Sequence, residues 1–195
     1  MKRLLSLLGF LLVLSACGGE SSVTTCNTFY WDGTVGVCVP EAWHTVERAE
    51  LDQRGVPAEV LVAFQSDQPH GGQFATVTVT REALTQPMSS TEYSAASVQS
   101  VAGLPNFTKI DQTTISIDAQ DVTLHVFSAQ PREDQPESRF TQVSAVADGA
   151  GYTFTAATPV TVQDALEAEI TSMMKSITFK APEGAATSQS SVAGE

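Results

Sequence analysis

The stretch Phe107–Ile117 (FTKIDQTTISI), then Asp118–Asp121 (DAQD), then Val122–Ala129 (VTLHVFSA), decides the fold. Both outer runs are rich in Thr, Ile, Val and Phe, the residues that fit a pleated, half-buried surface. The four residues between them are turn formers, too few for a crossover, so the runs must reverse as antiparallel neighbours. The pattern repeats downstream, where Phe140–Ala147 and Tyr152–Ala156 flank the reversal Asp148–Gly151. Four strands in an antiparallel meander follow, with Pro131–Arg139 as a longer polar loop.

Upstream, Glu59–Gln65 and Phe74–Thr80 read as two further strands, Val77 and Val79 sharing one face of the second. Asp67–Gly72 between them is a loop by composition. Ser89 with Glu92 fits a capping box that opens a helix over Ser89–Gly103, with Tyr93, Ala96, Val101 and Leu104 as a broken apolar stripe. Thr161 with Asp164 fits a second box, opening a helix whose Val162, Leu166, Ile170 and Met173 form a clear apolar face. Ser176–Phe179 is a short last strand, while Ala181–Glu195 is small and polar, with the composition of a disordered tail.

Of 195 residues, 42% are hydrophobic and 16% charged, enough apolar material for one real core. The formal charge of −12 excludes a nucleic-acid partner, whose phosphates need clustered Lys and Arg. At the N-terminus, Lys2 and Arg3 precede an apolar run from Leu4 to Leu14, too short to span a bilayer and of signal-peptide type. It ends in Leu14-Ser15-Ala16-Cys17, which resembles the lipobox of bacterial lipoproteins. That resemblance implies cleavage of residues 1–16, acylation of Cys17 (palmitate included) and a membrane anchor. Residues 17–25 then form a flexible tether, residues 26–180 a single domain and residues 181–195 a tail. The expected location is the bacterial cell envelope: the outer membrane in a Gram-negative source, otherwise the outer face of the cell membrane.

With Cys17 lipidated, Cys26 and Cys38 remain in an oxidising compartment, which favours a disulfide. A three-residue loop at Trp31-Asp32-Gly33 pairs Tyr30 with Thr34, Thr28 with Gly36 and Cys26 with Cys38, directly opposed. A redox or metal role would want CxxC spacing, which is absent. Phe29, Tyr30 and Trp31 are consecutive on this hairpin. They cannot all enter one core, so the cluster is a candidate partner-binding surface.

Pro40 and Trp43 in a Pro-x-x-Trp turn, two strands, a helix, a strand meander, and a helix running into Ser176-Ile177-x-Phe179 resemble the Mog1/PsbP-like fold. The likeness is greatest to bacterial lipoproteins of the DcrB and LpqN kind. The resemblance implies an α+β domain: an antiparallel sheet flanked by helices, an α/β/α sandwich, here with an added disulfide hairpin. It implies binding or assembly proteins and supplies no catalytic motif.

A catalytic constellation has little to build on. There is no Gly-x-Ser-x-Gly, Walker A or Gly-x-Gly-x-x-Gly sequence, and His44, His70 and His125 share no short motif. Asp118 with Asp121 lies in a reversal and Glu133-Asp134 in a polar loop, where turn formation explains them; calcium binding by Glu133, Asp134 and Glu137 has no EF-hand spacing. The expectation is a non-enzymatic, lipid-anchored envelope protein that needs no cofactor and binds a protein partner or envelope component. The alternative is a small-ligand or metal-binding carrier with a pocket between sheet and helix, drawing on His125 or Trp43.

Overall fold

The computed structural model describes residues 26, 28–132 and 134–182; Cys17, the tether, the signal segment, Glu133 and most of the tail lie outside them. In chain order the elements are β1 (Thr28–Trp31), β2 (Gly36–Val39), β3 (Trp43–Val46), α1 (Arg48–Gln53), β4 (Val60–His70) and β5 (Gln73–Ala83). There follow α2 (Ser90–Val101), β6 (Thr108–Ile117), β7 (Gln120–Ala129), β8 (Ser138–Ala147), β9 (Ala150–Pro159) and α3 (Asp164–Lys175). β1 and β2 form their own hairpin, and the others one antiparallel sheet in the order β3-β4-β5-β9-β8-β7-β6. The meander is β6 to β9, with β9 returning against β5.

Two reversals of the meander are two-residue turns whose residues all take the left-handed region, which Asp and Gly tolerate and Ala119 adopts against its own preference. Asp118 and Ala119 have φ of 49° and 69°, and Asp148 and Gly149 have 48° and 74°. Asp118 also accepts from the Thr178 hydroxyl and the Phe179 amide. That carboxylate holds the C-terminal segment, which is a structural duty. The loop expected at Asp67–Gly72 is shorter than its composition implies: β4 runs on to His70, and Gly71-Gly72 alone make the turn. The capping box at Ser89 and Glu92 is present in full. The one expected at Thr161 and Asp164 is not, since Gln163 stands at the N-cap without a side-chain bond. The last strand reduces to one bridge, Thr178 to Gly36.

Two elements lay hidden in the sequence. β3 is four residues long and follows the Pro40 turn directly, and α1 has only Leu51 buried, so neither shows a period. Trp43 sits in β3 rather than in a turn, 6% exposed, its Nε1 donating to Glu169 of α3 at 2.9 Å.

Helices cover both faces of the sheet, as the α/β/α reading required. On one face α3 buries Leu166, Ile170, Met173 and Met174 against Phe64, Val77, Val143 and Phe154. The hairpin closes that layer from the side: Val37, Val39 and the half-buried Tyr30 join the same core. On the other face α1 sets Leu51 on Val46 and Ala63 at β3 and β4, while α2 rests on β7 and β8.

Candidate functional site

The hairpin closes in a different register from the directly opposed one. Thr28 pairs with Val39, Phe29 with Cys38, Tyr30 with Val37 and Trp31 with Gly36. Two local interactions move it. Asp32 Oδ1 accepts from the amides of Thr34 and Val35, both at 2.8 Å, making a four-residue loop of Asp32–Val35. Gly36 then comes opposite Trp31, where the rings of Phe29 and Trp31 lie over its bare Cα. A Cβ at Gly36 would meet Trp31 Cε3 at 3.0 Å and collide with Phe29. Cys26 falls ahead of β1 and reaches Cys38 from there, with the two Cα atoms 5.3 Å apart. The disulfide forms, though not between paired residues. Closing so short a loop stabilises by about 3 kcal/mol.

This register sorts the three aromatics. Tyr30 turns inward, edge-on to Phe64 with ring centres 5.2 Å apart. Burial, then the charges of Asp32 and Glu47, push its phenol up to about 12. Phe29 and Trp31 share the outward face with Cys38; Phe29 is 40% exposed and Trp31 half-buried. β2 is held from behind, its Cys38 amide donating to Ser176 Oγ at 2.8 Å and Gly36 exchanging two backbone bonds with Thr178. The result is a rigid ledge carrying two aromatic rings.

His125 and Trp43 do not come together. Trp43 belongs to the α3 side, while His125, opposite Gln142 on β8, belongs to the α2 side. His125 is 1% exposed, packed on Phe127 (4.9 Å) and Phe107 (6.0 Å). Neither ring nitrogen has a hydrogen-bond partner. It is neither a surface nor a hydrogen-bonded histidine, the two ordinary fates. Burial, then the positive charge of Lys109, lowers its pKa, favouring the neutral ring. His44 is exposed and bonded to Asp67 at 2.6 Å, and His70 ends β4. Among the described residues no group of three or more His, Cys, Asp or Glu could hold a metal ion.

A cleft of about 500 Å³ opens between α2 and the strands β5 and β9, lined by Thr80, Thr153, Thr155, Gln142, Ser97 and Tyr93 among others. Its polar side chains are linked to one another. Ser144 donates to Ser97 at 2.8 Å, Ser97 to Gln142 at 3.3 Å, and Gln142 to Thr155 at 3.2 Å. Tyr93 packs against Gly151, where a Cβ would collide with its ring. Its phenol is pushed up to about 12, mainly by burial. The sequence reading allowed a pocket between sheet and helix but drew it from His125 or Trp43, neither of which lines this cleft, and no motif marks the residues that do. Its traces are two alternations, the Val–Thr run that ends at Thr80 and Tyr152-Thr-Phe-Thr-Ala156.

No protein-family profile and no curated protein sequence matches this chain. Solved structures do. PA94 from Pseudomonas aeruginosa, a protein of unknown function, superposes with a TM-score of 0.52 at 18% identity, over 80% of this chain and 96% of its own. LpqN from Mycobacterium tuberculosis, involved in cell envelope biogenesis, gives 0.53 at 13%, over 77% and 88%. The cyanobacterial PsbP of Synechocystis, CyanoP, gives 0.53 at 17%, over 86% and 99%. The domain has the PsbP/Mog1-like fold; at these identities the likeness speaks to fold alone. No helix among the described residues is long and apolar enough to cross a membrane.

Proposed function

We propose that this protein is a non-enzymatic lipoprotein of the bacterial cell envelope, anchored through acylated Cys17 and binding a protein partner through the outer face of its disulfide hairpin. The observation that carries the reading is the outward pairing of Phe29 and Trp31 over Gly36, on a hairpin pinned by Cys26–Cys38. Outward-facing aromatics already held in one conformation lose little entropy on binding, and aromatic anchors are enriched among the residues that dominate interface energies. LpqN, a structural neighbour, takes part in cell envelope biogenesis, which supports the location. The lipobox-like Leu14–Cys17 supports the anchor. Tyr30, packed against Phe64, serves the hairpin's own docking rather than the partner.

The test is affinity capture of the full-length protein from its native envelope, read by mass spectrometry, with Cys17→Ser as the unanchored control. Trp31→Ala is expected to reduce recovery of the specific partner by about tenfold while leaving the melting temperature unchanged. Undiminished recovery, or an equal loss of stability, would remove the hairpin face from the interface.

A further inference from the structure

β6 is the long open edge of the sheet. β7 pairs with one side of it and, among the described residues, no strand lies on the other; the opposite edge, β3, is only four residues long. The reversal at Asp118-Ala119 is a two-residue turn, so Ile117 and Gln120 close it as a hydrogen-bonded pair. Such pairs alternate along an antiparallel ladder. Ile117, Ile115 and Thr113 spend their N–H and C=O on β7, while Ser116, Thr114 and Gln112 turn theirs outward. Among the described residues nothing hydrogen-bonds to those outward groups, and all three residues are exposed.

Proteins commonly blunt such an edge with a bulge or a charge. β6 does so in its first half alone, where Ile110 is the extra residue of a bulge between Lys109 and Asp111. From Asp111 to Ile117 the register is unbroken, and the run Gln112-Thr-Thr-Ile-Ser-Ile117 is uncharged. An unprotected edge of this kind is a template for another strand. An extended segment of a different protein takes its specificity from side-chain pockets beside the edge. Neither the cleft under α2 nor the smaller cavity at Leu84–Met88 includes a residue of β6.

A second copy of the same strand needs no pocket. The unbroken run is centred on Thr114, and a two-fold axis there matches its whole length. Thr114 then opposes Thr114, Gln112 opposes Ser116, Thr113 opposes Ile115 and Asp111 opposes Ile117. Every outward N–H and C=O of Gln112, Thr114 and Ser116 finds its partner in this register. A shift of the axis by one residue would spend some of them on the bulge or the turn. No like charges stand directly opposed. Each end sets Lys109 and Asp111 of one copy near Asp118, Asp121 and Lys180 of the other, so the signs are mixed rather than alike. The axis runs normal to the sheet, which leaves both α3 faces, and the hairpins packed with them, on one side. That suits two copies tethered to one membrane. We propose that β6 is a homodimerisation edge, with two copies pairing their Asp111–Ile117 runs antiparallel about Thr114 and joining two sheets into one.

The full-length chain carrying Cys17→Ser is followed from about 1 µM to 1 mM by sedimentation velocity and amide hydrogen exchange. Without the acyl group, the result is independent of the anchoring proposed above. Dimer should form with rising concentration, and the amides of Gln112, Thr114 and Ser116 should then exchange at least about tenfold more slowly. Thr114→Lys sets two ammonium groups opposite each other at the axis. It should weaken the dimer about tenfold at an unchanged melting temperature. Thr114→Pro removes an N–H that β7 does not use and should weaken the dimer further. Trp31→Ala should leave dimerisation unchanged, which separates this edge from the hairpin face. A monomer throughout would leave the edge to another protein's extended segment and overturn the proposal. So would a dimer that leaves the three amides unprotected or ignores Thr114→Lys. Protection at every concentration that removal of residues 183–195 abolishes would put the chain's own tail on the edge, and would overturn it equally.

Discussion

The two faces of the central sheet are held by different physics. Under α3, Leu166, Ile170, Met173 and Met174 meet Phe64, Val77, Val143 and Phe154, and all eight are at most 3% exposed. Under α2 the buried helix residues are Ser90, Tyr93 and Ser94, and they reach the sheet by hydrogen bonds. Apolar burial is non-directional and scales with area, so the α3 layer supplies most of the stability. A polar layer nets only a modest gain per bond, but each bond fixes a position. One face makes the domain stable; the other holds a groove open without collapsing into it.

The comparison can be broken at its strongest point first. Ile170→Ala, in the middle of the α3 layer and 2% exposed, should cost about 2–5 kcal/mol in denaturant unfolding. A loss no larger than that of an exposed substitution would mean that α3 is not the principal core. Ser144→Ala sharpens the contrast. Ser144 is as buried, at 2%, and joins Ser97 and Thr153 at 2.8 and 3.0 Å. Its removal should nevertheless cost only about 0.5–1.5 kcal/mol, together with a chemical-shift change at α2.

The smallest effect at neutral pH is at His125, and it emerges only with acid. Its folded pKa lies below the ordinary 6.5 of an unfolded chain. The unfolded state therefore takes up the proton first. His125's contribution is complete above about pH 6.5 and is lost as pH falls through the folded pKa. His125→Phe, suited to neighbours Phe107 and Phe127, should flatten the stability curve below pH 6.5 relative to the parent. Two parallel curves would show that the ring is already solvated or paired.

How far these features were legible depends on whether they repeat along the chain. The α3 stripe at Leu166, Ile170 and Met173 and the Val–Thr alternation of β5 are periodic, so one segment is enough to read them. α2 was legible as a helix from Ser89 and Glu92 but not in its docking. Its expected stripe residue Ala96 is exposed, and serines face the sheet instead. Serine spacing carries no signal until the hydroxyls, carbonyls and amides of β7 and β8 stand opposite. The hairpin shows the same divide within thirteen residues: Cys26 and Cys38 foretold their bond, while the register depended on where two rings could lie over Gly36.

From the sequence alone came the α+β class, the antiparallel meander, the capping box at Ser89, the apolar face of α3 and the pairing of two cysteines. Each follows from local propensity, period or chemistry of neighbouring residues. Tertiary structure alone decided that Tyr30 turns inward while Phe29 and Trp31 face out, that Trp43 and His125 lie on opposite faces, and that β5 and β9 remain open between two helices. These outcomes rest on contacts between segments far apart in the chain, where packing and hydrogen bonding select among arrangements that local preference leaves equal.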